Sequence, residues 1–467
     1  LPAGLYREIR VFILMKQKLL AAASAVVFSL TASGSVLAES FDEALAKAYM
    51  TNPTLQAQRA AVRGTDEDVP QALSNWRPTV ELNGSVGRVF ATSNSFNPND
   101  QNRTERSVDF TIEQPIFRGW RTVRETEQAE NNVLASRADL TDAEQDVLLA
   151  AATAYLDVLR DIATLDLNRN NELVLRRQLQ AAQDRFSVGE ITRTDVSQSE
   201  ARLAQSAADR IQAEGNLEQS RAAYRNAVGD LPGTLEQVPE IGGIPATEDE
   251  ALAIALGTNP SVASADFSER AARENIGLVR GELLPEVSLV GQWGRDIDTA
   301  NNNSKVTELE VRADVSVPLY QAGDVYSRLR EAKQVAGQRR QELDEAKRNV
   351  AEDVKRAWED LVTARARIQA FNSQIESNTI ALDGVRRENA VGARTILDVL
   401  DQEQELLDSQ VNLVRAVRDE KAAALQVRAA MGTLTAVDLA LPVEIYDPMA
   451  NYRRVRGKWF GGDIKED

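Results

Sequence analysis

The sequence predicts a mainly α chain built as a tandem repeat, each half carrying two strand-like stretches ahead of one long helical hairpin. Three observations carry that prediction. Proline is absent between Ile116 and Leu231 and again between Leu319 and Leu441, and most of the prolines crowd into the segments before each gap. Fragments recur at near-constant offsets: Glu43-Ala44-Leu45 and Asn52-Pro53 return as Glu250-Ala251-Leu252 and Asn259-Pro260, 207 residues on. Val188-Gly189, Asp195-Val196 and Ala227-Val228-Gly229 return as Val391-Gly392, Asp398-Val399 and Ala430-Met431-Gly432, 203 residues on. Finally, the prolyl segments alternate apolar and polar residues, whereas the proline-free ones keep helical spacing. A repeat of this length replaces the three domains that 467 residues suggest with a pair of equivalent halves.

Element by element, residues 1–38 are expected to be upstream sequence and a signal peptide. Met15-Lys16-Gln17-Lys18 is basic, Leu19 to Leu30 is apolar, and Val36-Leu37-Ala38 precedes Glu39, which places cleavage after Ala38. The apolar run falls short of the roughly 20 residues that a spanning helix needs. Leu1 to Leu14 precede the first Met and are expected to be no part of the fold, and the lack of Cys near the cleavage point excludes lipid attachment there. The first repeat is assigned to 39–232, as a helix, a β-hairpin over 78–117 and a helical hairpin over 119–228. The second is assigned to 233–434, with its β-hairpin over 285–318 and its helical hairpin over 323–432. Residues 435–467 are expected to form a C-terminal tail, periplasmic if the signal directs export.

In the first β-hairpin Val80, Leu82 and Val86 alternate with Glu81, Asn83 and Ser85. After a polar loop over Ala91 to Glu105, Val108, Phe110 and Ile112 alternate with Asp109, Thr111 and Glu113. The second offers Val287, Leu289 and Trp293, then Leu309, Val311 and Val315, against Glu308, Glu310, Arg312 and Asp314. A soluble sheet and a transmembrane wall with a wet lumen fit that pattern equally.

The helices decide between them. Trp120 to Val188 runs without Gly or Pro, and Asp324 to Val391 contains only Gly337 and Gly384. Their apolar face is largely Ala, so one chain cannot cover itself and each hairpin must pack on neighbouring subunits. Four strands likewise cannot close a barrel, for which about eight is the minimum; two subunits or three would supply enough.

At the hairpin tips Gly189 and Gly392 suit the left-handed residue that ends a helix. Thr192 with Asp195, and Thr395 with Asp398, have the spacing of a capping box. Asp401 is not accounted for by capping; it shares a helix face with Asp398, and the first repeat has Gln198 in its place. Solvated surface charge is the default reading of both acids. For the tail cluster Arg453, Arg454, Arg456, Lys458, Trp459 and Phe460 the default is likewise a solvated basic tail, with an adaptor or the subunit's own mid-section as the alternative contact.

Composition excludes more than it assigns. The chain has 71 acidic and 54 basic side chains, a net charge of −17, no Cys and no His. That removes thiol and imidazole catalysis, disulfides and nitrogen- or sulfur-ligated zinc. The acidic balance argues against nucleic acid as a partner. There is no phosphate loop and no nucleophile–base set, so neither an enzyme nor a cofactor or metal site is expected.

With its tandem halves, paired β-hairpins, proline-free helices and Val-Gly…Asp-Val tips, the chain resembles the TolC family of outer-membrane channel proteins, from Ser40 to about Thr435. The resemblance implies a homotrimer: a 12-stranded β-barrel in outer-membrane lipid, continuous with a periplasmic α-barrel. It also implies a periplasmic adaptor and an inner-membrane ABC or proton-driven transporter as partners. The family's pore constriction falls on Asp398 and Asp401, where crowding of like charges around one axis raises some pKa values. Its gate latch falls on Arg394, with Thr194 and Asp195 as partners on a neighbouring helix pair, and Asn389 stands where a tyrosine is frequent. Such channels serve protein secretion or efflux of small molecules; the tail and the unacylated start point to the secretion branch. The competing reading from another class is a periplasmic coiled-coil scaffold with a soluble β cap.

Overall fold

The computed structural model describes residues 39–91, 101–300 and 302–464. The signal segment and its cleavage point lie outside them, as does most of the polar loop after Ala91.

The first repeat opens with three short helices, α1 (Phe41–Thr51), α2 (Pro53–Asp66) and α3 (Asp68–Ser74). The sequence suggested one helix here. Asn52-Pro53 divides it: the residue before proline is driven out of the helical region, and Asn52 sits at φ −64°, ψ 123°. Strands β1 (Thr79–Ala91) and β2 (Gln101–Arg118) follow, then α4 (Arg121–Ser187) and α5 (Arg193–Val228). The second repeat copies this order with α6 (Glu248–Thr258), α7 (Pro260–Gly281), β3 (Glu286–Ile297), β4 (Lys305–Ser316), α8 (Asp324–Ala390) and α9 (Ile396–Ala430). A last helix, α10, spans Pro448–Val455. Strand β2 is already formed at Gln101, inside the expected loop, because polar residues such as Arg103 and Glu105 (2.7 Å apart) fit the alternation of a sheet with one polar face.

The four strands make one antiparallel sheet in the order β1-β2-β3-β4. Register aligns Leu82, Phe110, Trp293 and Leu309 in one row across all four strands. The adjacent row, on the opposite face, is Glu81, Thr111, Gln292 and Glu310. The apolar row is bare: Leu82 is 71 % and Leu309 77 % exposed. Nothing among the described residues covers that face, which a soluble sheet would have to bury. The outer edges of β1 and β4 have no strand partner among the described residues. Open edges of this length invite pairing with another chain.

Helices α4 and α8 each run 67 residues, about 100 Å at a rise of about 1.5 Å per residue. The packed core sits around their middle rather than at the tips. There Leu45, Leu55 and Val62 from α1 and α2 meet Leu148, Ala151 and Tyr155 of α4 and Leu425 of α9. A second cluster repeats the arrangement with Ala251 and Ala255 of α6 against Val354 and Leu361 of α8 and Val427 of α9. Tyr155 is fully buried, and its hydroxyl proton lies between the carbonyls of Glu39 (2.9 Å) and Glu236 (2.8 Å), either of which can accept it. Burial pushes its pKa up to about 12, so it stays a neutral donor at any working pH. Tyr155→Phe removes the proton shared between these carbonyls, of which Glu39 O keeps the Glu236 amide at 3.2 Å, and is expected to cost about 0.5–1.5 kcal/mol. Thermal unfolding in detergent measures it; an unchanged midpoint would refute the assignment.

The recurring Asn-Pro motif clasps each repeat shut. Asn52 Nδ2 donates to the Ala227 carbonyl at 3.1 Å, and Asn259 Nδ2 to that of Ala430 at 2.9 Å, tying the start of each repeat to its last helix. The same amides use Oδ1 to cap α2 and α7.

The tail corrects the expectation of a solvated segment. Asn451 Nδ2 donates to the buried Asp66 carboxylate (2.9 Å), which Arg137 of α4 also contacts (3.3 Å). Arg137 lies over the Tyr452 ring at 5.0 Å, Arg456 pairs with Glu130 at 2.9 Å, and Arg77 stacks on Trp459 at 4.9 Å. Charge alone suggested a free basic tail. The aromatic and amide side chains interleaved with those charges are what dock it.

Candidate channel mouth at the hairpin tips

Both long helices end in the same way. Gly189 (φ 83°) and Gly392 (φ 81°) take the left-handed conformation. Glu190 N donates to Arg185 O at 3.0 Å and Ala393 N to Glu388 O at 2.9 Å, the six-residue closure of a glycine-capped helix end. The return helices start on matched capping boxes. In α5 the Thr192 amide and hydroxyl donate to Asp195 Oδ2 at 2.9 and 2.8 Å. In α9 the Thr395 amide and hydroxyl donate to Asp398 Oδ2 at the same distances. Capping therefore occupies one oxygen of Asp398. These donors, with Arg394 Nη1 4.0 Å from the other oxygen, hold its carboxyl below the usual carboxylate range.

Asp401, one turn further along α9, is half-exposed and ion-paired with Arg202 of α5. That pair joins the two hairpins just above their tips. Deeper between the helices lies Glu403, whose side chain is 4 % exposed. Its Oε1 accepts from Arg386 of α8 (2.9 Å) and from Gln178 of α4 (3.2 Å), while its buried Oε2 has no hydrogen-bond partner. The second-half tip is thus held to the first half by two polar cross-links through α9.

Arg394, in the turn before α9, donates to Glu388 at 3.0 Å, and Asn389 Nδ2 donates to the Arg394 carbonyl at 2.9 Å. Among the described residues Arg394 makes no hydrogen bond or ion pair with Thr194 or Asp195. Thr194 is exposed, and Asp195 is engaged in its own capping box. Within one chain the structure therefore groups Asp398 with Arg394 and Asp401 with Arg202. Sequence reasoning missed Arg202, Gln178 and Glu403. A signal existed for the first: Arg202 lies one turn beyond Gln198, the position equivalent to Asp401, so opposite charges occupy neighbouring turns of equivalent helices.

No helix among the described residues is long and apolar enough to cross a membrane. The part that can face lipid is the sheet, and the long hairpins carry polar tips with a cluster of acids and guanidinium groups. A protomer contributing four strands and two helical hairpins to a shared tube is the class that this fold defines, that of outer-membrane channels. Residues 44–230 and 251–433 match the family described as outer membrane efflux protein, and the chain belongs to it. It is 34 % identical over 448 residues to the outer membrane efflux protein BepC of Brucella suis, covering 95 % of this chain and 96 % of that one. It is 28 % identical over 419 residues to the outer membrane protein TolC of Vibrio cholerae, covering 88 % and 94 %. In fold it is similar to the solved channel CusC, with a TM-score of 0.75 at 17 % identity over 86 % of this chain and 95 % of that one. The protein is an outer-membrane efflux duct component, and the scaffold reading falls.

Proposed function

We propose that three copies close a 12-stranded barrel in the outer membrane and a helical barrel below it, forming the passive exit duct of a tripartite export system. The observation that carries this reading is the four-stranded sheet with a bare apolar face and two open edges. Three copies pair those edges and give the apolar face to lipid. The polar face, with Glu81, Asp109, Glu308 and Glu310, then lines a water-filled lumen. A cleaved signal peptide delivers the chain to the periplasm of a Gram-negative cell. A periplasmic adaptor and an inner-membrane transporter engage the helical end, and cargo, whether secreted protein or small toxic molecule, passes without chemical change.

Gating belongs to the tips. Asp398 and Asp401, brought to one axis from three subunits, make the constriction. Arg202–Asp401 and the Gln178–Glu403–Arg386 link hold the second hairpin of each chain against the first, while Arg394 supports the turn and remains available to a neighbouring subunit's Thr194 and Asp195. Opening separates the hairpins and breaks these links. Conductance of purified protein in planar bilayers tests the whole reading. Stable, cation-preferring channels from a heat-modifiable trimer are expected, and a detergent-independent monomer with no conductance overturns it. Arg394→Ala is expected to raise basal conductance severalfold; a variant as tight as wild type removes Arg394 from the latch.

A further inference from the structure

The exposed end of the tail, residues 458–464, is rich in apolar side chains, with Lys458 and Asp463 its charges and Arg453, Arg454 and Arg456 just before it. After α10, Trp459 (58 %), Phe460 (86 %) and Ile464 (83 %) stand open beside Lys458. Their place in the fold is fixed at the foot of the sheet. Arg77 Nη1 donates to the Lys458 carbonyl at 2.8 Å and its guanidinium stacks on Trp459, and Arg77 is two residues before β1 begins. Exposed Trp76, Ile116, Trp120, Leu319 and Tyr320 lie where the same strands meet the helices. Aromatic side chains at that level mark a membrane–water interface. The charge is available too. Lys458 Nζ donates only to the Asp463 carbonyl and Arg454 to the Asn451 amide oxygen, so neither has a carboxylate partner among the described residues.

We infer that residues 458–464 form an interfacial foot on the periplasmic-facing leaflet of the outer membrane, with Trp459, Phe460 and Ile464 at the acyl boundary and Lys458 and Arg454 drawn to anionic phospholipid headgroups. Apolar rings with cations on their N-terminal side suit a peptide segment held in the headgroup region. Arg77 and the packing of α10 on α2 fix the height of this foot against the barrel. It steadies the duct axially where the barrel meets the helices. The inference rests on the reading of the sheet as a membrane barrel.

The chain contains no Cys, so Gly462→Cys gives a single labelling position in open space within the exposed segment. The full-length protein, carrying a nitroxide there, is inserted into bilayers of phosphatidylethanolamine with or without phosphatidylglycerol. Relaxation by oxygen and by a water-soluble nickel complex is then measured. The ratio of oxygen to nickel accessibility is expected to be about threefold higher in anionic bilayers than in detergent, and smaller in the neutral ones. Adding Phe460→Ser, which removes an exposed ring and no internal contact, is expected to return it most of the way to the detergent value. A label equally open to nickel in both bilayers overturns the inference, as does one shielded from both reagents with or without lipid, which would mean that a neighbouring subunit covers the foot. Inorganic phosphate reproducing the change in detergent would mean a free-anion site and also overturns it. Protein that fails to insert refutes the barrel reading and this inference with it; inserted protein with a water-exposed label refutes this inference alone.

Discussion

Replacing Asp398 and Asp401 together by Asn is expected to reduce the proposed cation preference severalfold while leaving the proposed trimer assembled. The reason is density of charge. In a low-dielectric mouth with an effective constant near 20, a unit charge about 8 Å away is worth about 2 kcal/mol to a passing ion, against about 0.5 in bulk water. Asn is the right substitution because Asp398 also caps α9 through Oδ2, and an amide oxygen can still accept from Thr395. Ala would confound charge with helix fraying. Arg202 supplies a test of opposite sign. Its guanidinium is paired with Asp401, so Arg202→Ala unmasks that charge and is expected to increase cation preference and to loosen the tip. Within one chain the Thr395 donors and Arg394 depress the Asp398 pKa, so its contribution to the cap is complete above the ordinary carboxylate value of 3.8 and is lost as pH falls through the lower folded value, whereas crowding of carboxylates in a trimer acts in the opposite direction. Reversal potentials in asymmetric salt read all three effects. Identical selectivity in wild type and the double Asn variant would take the constriction away from these residues.

How far the sequence carried this picture depends on whether a feature is local. The tandem halves, the strand pairs and the long helices rest on periodicity and on proline, which act within a few residues, and they were legible. So were the tip turns, since Gly189 and Gly392 answer a backbone requirement that composition reveals. The Asn-Pro repeats were legible as a pattern but not as a clasp, because their partners Ala227 and Ala430 offer only backbone carbonyls. Arg202–Asp401 joins residues 199 apart, and Gln178–Glu403 residues 225 apart. Helical spacing says which face a residue occupies but not which helix that face meets. The tail misled for a related reason: its cations suggested solvent, whereas Asn451, Tyr452 and Trp459 supply the contacts that dock it.

Among the glycines that end the long helices, the largest loss of stability from a single methyl group is expected at Gly432. Gly392 and Gly432 share nearly the same backbone, φ 81° and 78°, each just past the end of a long helix. A side chain at either carries the strain of a left-handed residue, about 1–2 kcal/mol. They differ in surroundings. A Cβ on Gly392 meets nothing within 4 Å, whereas on Gly432 it falls 2.6 Å from the Thr258 carbonyl oxygen and 2.8 Å from Asn259 Cα. Both contacts are backbone and cannot rotate away. They also belong to the clasp, in which Thr258 Oγ1 donates to Met431 O at 2.6 Å and Asn259 Nδ2 to Ala430 O at 2.9 Å. Relieving the clash therefore pulls apart two hydrogen bonds that tie α6 and α7 to α9, adding roughly 2–3 kcal/mol to the strain. Gly229, the equivalent residue of the first repeat, lies between the two, with Thr51 Oγ1 3.3 Å from the added carbon. The expected order of destabilisation, smallest first, is Gly392→Ala, then Gly229→Ala, then Gly432→Ala, read as the thermal unfolding midpoint in detergent. Gly432→Ala melting with Gly392→Ala would mean that the clasp yields freely and that the close approach there is not what holds the second repeat shut.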